Sequence, residues 1–136
     1  MEQDKEHLKA FQRSWAYHKY WVMLHSQKAY EDIRKLAKHN DWNEIKQKRY
    51  EEILVKCATL KPNRGSTINT CLHGWGYFKK EATVEEKTQF FTWIEEDPIP
   101  VILIFDWLHD LSIKYKKCYL INFICQIKLD KSSLST

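Results

Sequence analysis

The sequence predicts an all-α fold, a single compact bundle of six to seven helices, and three observations carry that reading. Breakers are scarce: three Gly and three Pro in 136 residues favour long helices over many short strands joined by tight turns. Apolar residues return at steps of three, four and seven in one segment after another, the period of a helix with one buried face. A content of 43% hydrophobic and 14% aromatic residues is too apolar for a disordered chain, and this length builds one core without a disulfide or metal staple. Residues 1–130 read as that one domain, and the polar residues 131–136 as a frayed tail.

The elements follow in order. The first helix runs from Lys5 to His25, with Leu8, Phe11, Trp15 and Val22 on its apolar face. Ser26 is the N-cap of a second, whose stripe is Tyr30, Ile33, Leu36 and Ala37. Asn40 stops it, and Asp41 caps a third with Trp42, Ile45, Tyr50, Ile53 and Leu54 on the buried side. The stretch from Thr59 to Gly65 gathers Pro, Asn and Gly into a loop. Ser66 or Thr67 then opens a fourth helix that continues to Lys80. Thr83-Val-Glu-Glu86 is a capping box for a fifth, which turns Val84, Phe90 or Phe91, and Ile94 inward. After Asp97-Pro98 comes a strongly apolar sixth helix, with Val101, Ile104, Phe105, Leu108 and Leu111 facing the core. Pro98 and Pro100 are accommodated in its first turn, which lacks internal N–H partners. A final helix from Lys116 to Lys128 buries Leu120, Ile121, Ile124 and Ile127.

Composition also excludes function classes. Four Cys stand at 57, 71, 118 and 125, with no zinc-ribbon, redox or ferredoxin spacing, so neither a metal nor a cofactor is expected. The opening MEQDKEHLKAF has no apolar core of a signal peptide, and the longest apolar run, Ile99–Phe105, is too short to span a bilayer. The expectation is a cytoplasmic protein with reduced thiols and no membrane contact. Phosphate-binding glycine loops and the common hydrolase and metalloprotease motifs are absent.

The net charge of +4 is modest, but it is segregated along the chain. No acid occurs from Ile53 to Lys80, where Lys56, Lys61, Arg64, Lys79 and Lys80 stand. None occurs from Leu111 to Leu129, which holds Lys114, Lys116, Lys117 and Lys128. Between these stretches, residues 81–97 carry six acids against Lys87 alone. Such a pattern suits a polyanion on one side of the fold.

The fourth helix concentrates the candidate chemistry. On a 3.6-residue period Ile68, Cys71, Leu72 and Trp75 form a core stripe, while Asn69, His73, Tyr77 and Lys80 form a second row. An amide, an imidazole, a phenol and an ammonium in one row offer hydrogen bonds and ring faces to a ligand. Gly74 and Gly76, each costing about 1 kcal/mol relative to Ala inside a helix, imply close approach of a neighbouring helix or of a ligand. A secondary cluster, Arg13, Tyr17, His18, Lys19 and His25, lies in the first helix. Its two histidines are about 10 Å apart along the axis, too far to share a metal, and both read as partly buried and satisfied. Lys114-Tyr-Lys-Lys-Cys-Tyr119 interleaves basic and aromatic residues, which suits either phosphate and base contacts or the polar edge of a helix junction.

The run Asn69-x-x-x-His73-x-x-Gly76-Tyr77-Phe78-Lys79, followed by Glu85-Glu86-Lys87, Ile99-Pro100 and Tyr119-Leu120, resembles the YbgA family of unknown function. Tyr17-His18-Lys19-Tyr20, His25-Ser26 and Tyr30 resemble the opening helices of the same family. That family occurs alone or fused to iron–sulfur domains of the thiouracil-desulfidase type, implicated in removing sulfur from tRNA 4-thiouridine. The resemblance therefore implies a non-catalytic module that binds RNA, specifically tRNA, with any cluster chemistry supplied by a separately encoded iron–sulfur desulfidase. Arg64, Lys79, Lys80, Lys116 and Lys117 would then contact phosphates; His73, Tyr77 and Trp75 would meet a base or ribose, and Asn69 would orient His73 or bond the ligand. Two other expectations stand beside it. One is an enzyme using His73 as general acid or base with Tyr77 beside it. The other is a docking domain for a separate RNA-modifying enzyme.

Overall fold

Six consecutive residues, Tyr20 to His25, are buried at the end of the first helix, and the rest of the chain is arranged around them. The structure, a computed structural model, describes residues 2–117. Within them lie six α-helices: α1 (Glu2–His25), α2 (Gln27–Ala37), α3 (Glu44–Cys57), α4 (Arg64–Gly76), α5 (Val84–Ile94) and α6 (Val101–Lys114). A 3₁₀ turn, Lys38–Asn40, closes α2, with His39 and Asn40 at φ 74° and 54°. The fold is all-α, and no helix of the described residues is long and apolar enough to cross a membrane.

α1 is the wall between two cores. On one side Phe11, Trp21 and Val22 pack with Ile33, Trp42, Tyr50, Ile53 and Cys57 of the α2–α3 hairpin. On the other, Tyr20, Met23 and Leu24 pack with Cys71, Trp75, Phe78, Phe90 and the inner face of α6. The first core is anchored by Phe11 stacked on Trp42 at 3.8 Å, with Tyr50 edge-on to Phe11 at 4.9 Å. The second is anchored by Trp75, whose indole stacks on Phe90 at 4.8 Å and on Trp107 at 5.8 Å. Three helices thus meet on one indole.

Several boundaries differ from the periodicity reading, each for a local reason. Asn43, not Asp41, caps α3 through its side chain to the Lys46 amide (2.9 Å). Trp42 therefore precedes the helix, and a phase counted from it fails: Ile45, expected inside, is 82% exposed. Val84, expected inside, is 75% exposed because it opens α5 well off the side that buries Phe90. Phe90 rather than Phe91 turns inward. α4 is capped by Asn63, which forms a reciprocal box with Ser66, so neither Ser66 nor Thr67 is the cap. Pro100 caps α6, and both prolines precede the helix rather than sit in its first turn. The predicted final helix over 116–128 finds Lys116 and Lys117 outside any helix, Lys116 at φ 59°; its remaining residues and the tail lie outside the described residues.

The largest difference is at the end of α4. The helix stops at Gly76 instead of Lys80. Tyr77 is its C-cap, the Phe78 amide bonds Trp75 O (2.9 Å), and the Ala82 amide bonds Phe78 O (2.9 Å). This tight turn drops Phe78 into the core. The two glycines separate in role. A Cβ at Gly74 would meet Leu108 Cδ1 at 2.9 Å and the Phe105 ring at 3.6 Å, so α6 approaches α4 at this point. At Gly76 a Cβ would meet nothing within 4 Å, and its φ is not positive. Gly74→Val is therefore expected to lower unfolding stability by about 2 kcal/mol through overpacking. Gly76→Ala should raise it by roughly 0.5–1 kcal/mol by restricting the unfolded chain. Urea denaturation of the two variants checks both signs, and equal effects would refute the distinction.

Candidate nucleic-acid interface

The exposed side of α4 faces the end of α1 and the start of α2, and three phenols meet there. The Tyr20 and Tyr77 hydroxyls are 2.6 Å apart, linking α1 to the end of α4. Burial first, and then the bond to Tyr77, pushes the Tyr20 phenol well above its ordinary range. Tyr30 of α2 packs against both cores, and burial raises its pKa against the opposing influence of Arg34, whose guanidinium lies 5.8 Å from the ring. Lys19 Nζ lies 5.4 Å from the Tyr20 ring centre. His73 is exposed beside them, its ring 6.4 Å from that of Tyr20, and no side chain of the described residues hydrogen-bonds it. Asn69 donates from Nδ2 to Gln27 Oε1 (2.9 Å), tying α4 to the first residue of α2 rather than orienting His73.

The expected row thus survives as far as Tyr77. Lys80 leaves it because the helix has ended; Lys79 and Lys80 instead project from the following turn, exposed and without an ion pair among the described residues. Trp75, expected to meet a base, is 4% exposed and packed against both Phe90 and Trp107, so it is buried away from a ligand.

The remaining cations divide into free and committed. Arg64 donates to Glu96 O (2.9 Å) and Ile94 O (3.3 Å) and lies 3.9 Å from Asp97, so it serves the carbonyl end of α5. Lys117 donates to Tyr77 O and to Glu81 Oε2 (3.2 Å), serving the end of α4. Lys116 is exposed. Lys114 and Tyr115 of the basic–aromatic run both bond Glu86, at 2.8 and 2.5 Å; Cys118 and Tyr119 lie outside the described residues. That run is a helix junction as far as it is described.

The first-helix cluster does not form one face. Arg13 is exposed, Tyr17 sits edge-on to His18 at 4.9 Å, and burial lowers the His18 pKa. His25 is buried against Trp21, its Nδ1–H donating to Trp21 O at 2.8 Å. Only Lys19 joins the phenol cluster. Among the described residues no three metal-ligating side chains come together, and burial pushes the Cys71 thiol up to about 12. Tyr20, Tyr30 and Gln27 are site residues that periodicity alone did not single out, because their meeting depends on how three helices cross.

The arrangement sets an exposed imidazole beside partly buried phenols and an amide, with exposed ammonium groups in the following turn. Elsewhere in the fold Glu86 ties the end of α6 to the start of α5. Burial opposes its ionisation, but bonds from Lys114, Tyr115 and the Thr83 amide outweigh that and hold the carboxyl at about 2 instead of 4.5. A depressed carboxyl contributes stability fully present above its unfolded pKa and lost as pH falls toward the folded one. Thermal stability should therefore decline between about pH 4.5 and 2, and Glu86→Gln should remove part of that decline. Parallel melting curves across this window are the check; an unchanged slope in Glu86→Gln would refute the tie.

No curated protein and no solved structure matches the chain. Residues 19–123 match the family described as Protein of unknown function (DUF1722), a stretch that holds Tyr20, Tyr30, Asn69, His73 and Tyr77. The phenol cluster is therefore built entirely within the matched region, and the chain belongs to the DUF1722 family.

Proposed function

We infer that this chain is a non-catalytic RNA-binding module with tRNA as its ligand. The observation that carries the reading is the pairing of free and exposed Lys79 and Lys80, inside an acid-free stretch of sequence, with the His73–Tyr20–Tyr77 cluster that immediately precedes them. Lys79, Lys80 and Lys116 contact phosphates; His73 and Tyr77 meet a base or ribose edge. Arg64 and Lys117 play a supporting part by holding helix ends. The resemblance to the YbgA family, with its fusions to thiouracil-desulfidase-type domains, supports tRNA as ligand and a separately encoded iron–sulfur desulfidase as the partner that performs chemistry. An exposed imidazole without an orienting bond also suits recognition better than proton transfer.

Neutralising about three phosphates predicts affinity that falls more than tenfold between roughly 50 and 200 mM salt. Fluorescence anisotropy with bulk tRNA tests this, with Lys79→Glu/Lys80→Glu expected to abolish binding and His73→Ala to weaken it severalfold. Absence of binding at low salt, or affinity indifferent to salt and to the double substitution, would overturn the reading.

A further inference from the structure

A groove of about 490 Å³ opens between α2 and α3, on the side of α2 that begins at Lys28, the residue after the Gln27 that meets Asn69. Its volume falls in the range of small-ligand sites, roughly 300–1,000 Å³. α3 lines it with one continuous stripe, Arg49, Glu52, Ile53, Lys56 and Cys57, spaced three, one, three and one. Ala29, Ile53 and the partly exposed Leu60 supply apolar surface, while charged groups of both signs line the remainder.

The charges are unequally engaged. Asp32 accepts from Lys28 at 2.9 Å, a formed bond. Glu52 only approaches Arg49 at 3.8 Å, beyond hydrogen-bonding distance, so its carboxylate keeps its acceptor capacity. Lys56, one turn further along α3, has no ion pair among the described residues and belongs to the acid-free stretch. An apolar surface, a carboxylate with open lone pairs and a free ammonium one helical turn away, about 6 Å, form a set with a specific complement. A carboxylate accepts only, so it selects groups with N–H donors and rejects keto oxygens. Guanine presents two adjacent donors, N1–H and the 2-amino group, to the two oxygens of one carboxylate.

We propose that the α2–α3 groove is a nucleotide subsite selective for guanine, with Glu52 bonding the base edge, Leu60 against its face and Lys56 on its phosphate. The subsite rests on the RNA-binding reading and deepens it, since it names a base that the module reads away from the phenol cluster. It also gives a role to acids set among cations, which backbone binding alone leaves without one.

The test titrates the whole chain with guanosine monophosphate and with inosine monophosphate, which lacks only the 2-amino group, followed by amide chemical shifts in NMR. Guanosine monophosphate is expected to bind about tenfold more tightly. Glu52→Gln should bring the two ligands to equal affinity, and Lys56→Ala should weaken both severalfold while leaving their ratio. Both substitutions are at the surface, and unchanged spectra away from α2 and α3 will show that the fold is intact. Equal affinities in the unsubstituted chain, a preference that survives Glu52→Gln, or no binding of either nucleotide overturns the subsite. A parallel tRNA titration separates the two ideas: tRNA binding lost in Lys79→Glu/Lys80→Glu but with no guanine preference sinks the groove alone, whereas no tRNA binding sinks the module.

Discussion

Burying the end of a helix is the constraint on which this fold depends. The last carbonyls of an α-helix have no partner within it, and burial removes the water that would otherwise serve them. α1 ends in the middle of the molecule, so its neighbours provide what it lacks. Ser66 Oγ donates to Leu24 O at 2.7 Å, the Ser26 amide to Val22 O at 2.8 Å, and His25 Nδ1–H to Trp21 O at 2.8 Å. Cys57 Sγ lies 3.8 Å from Val22 O. These groups come from the α1–α2 junction, the end of α3 and the start of α4. Satisfying one buried helix end therefore fixes where three other elements begin or stop.

The same economy governs the opposite end of α4. There Gly74 lets α6 approach, Trp75 binds α5 and α6 by stacking, and the chain turns so that Phe78 fills the space below. The exposed carbonyls are met by cations from a distance: Lys117 at Tyr77 O, and Arg64 at the end of α5. Cations at helix C-termini also complement the helix dipole. Three of the basic residues that charge patterning marks out, Arg64, Lys114 and Lys117, are committed to partners within the fold, whereas Lys79, Lys80 and Lys116 stay exposed.

Local signals proved legible where their physics is local. Ser26 caps α2 and the Thr83–Glu86 box opens α5 because each needs only residues three apart, and scarce Gly and Pro with helical periodicity specify the all-α class. Asn63-x-x-Ser66 carried the same kind of signal one turn earlier than expected. What periodicity could not reveal is set by contacts 15 to 40 residues away. The stop at Gly76 is reinforced by Lys117, the role of Arg64 by Glu96 and Ile94, and the interior position of Trp75 by Phe90 and Trp107. Asn69 and His73 lie on the expected side of α4, yet Asn69 turns to Gln27, a partner on another helix.

The convergence of Tyr20, Tyr30 and Tyr77 bears on what kind of site this is. Groups tied by bonds between helices, as Tyr20 is to Tyr77 and Asn69 to Gln27, have little freedom to lose on binding, which favours recognition. Proton transfer asks for more: a base held by an orienting partner and screened from water. Here the phenols and Asn69 are held by partners, while the His73 imidazole stands in solvent beside them. Positional order thus lies with the phenols and Asn69 rather than with His73, which lacks the orienting partner that proton transfer asks for.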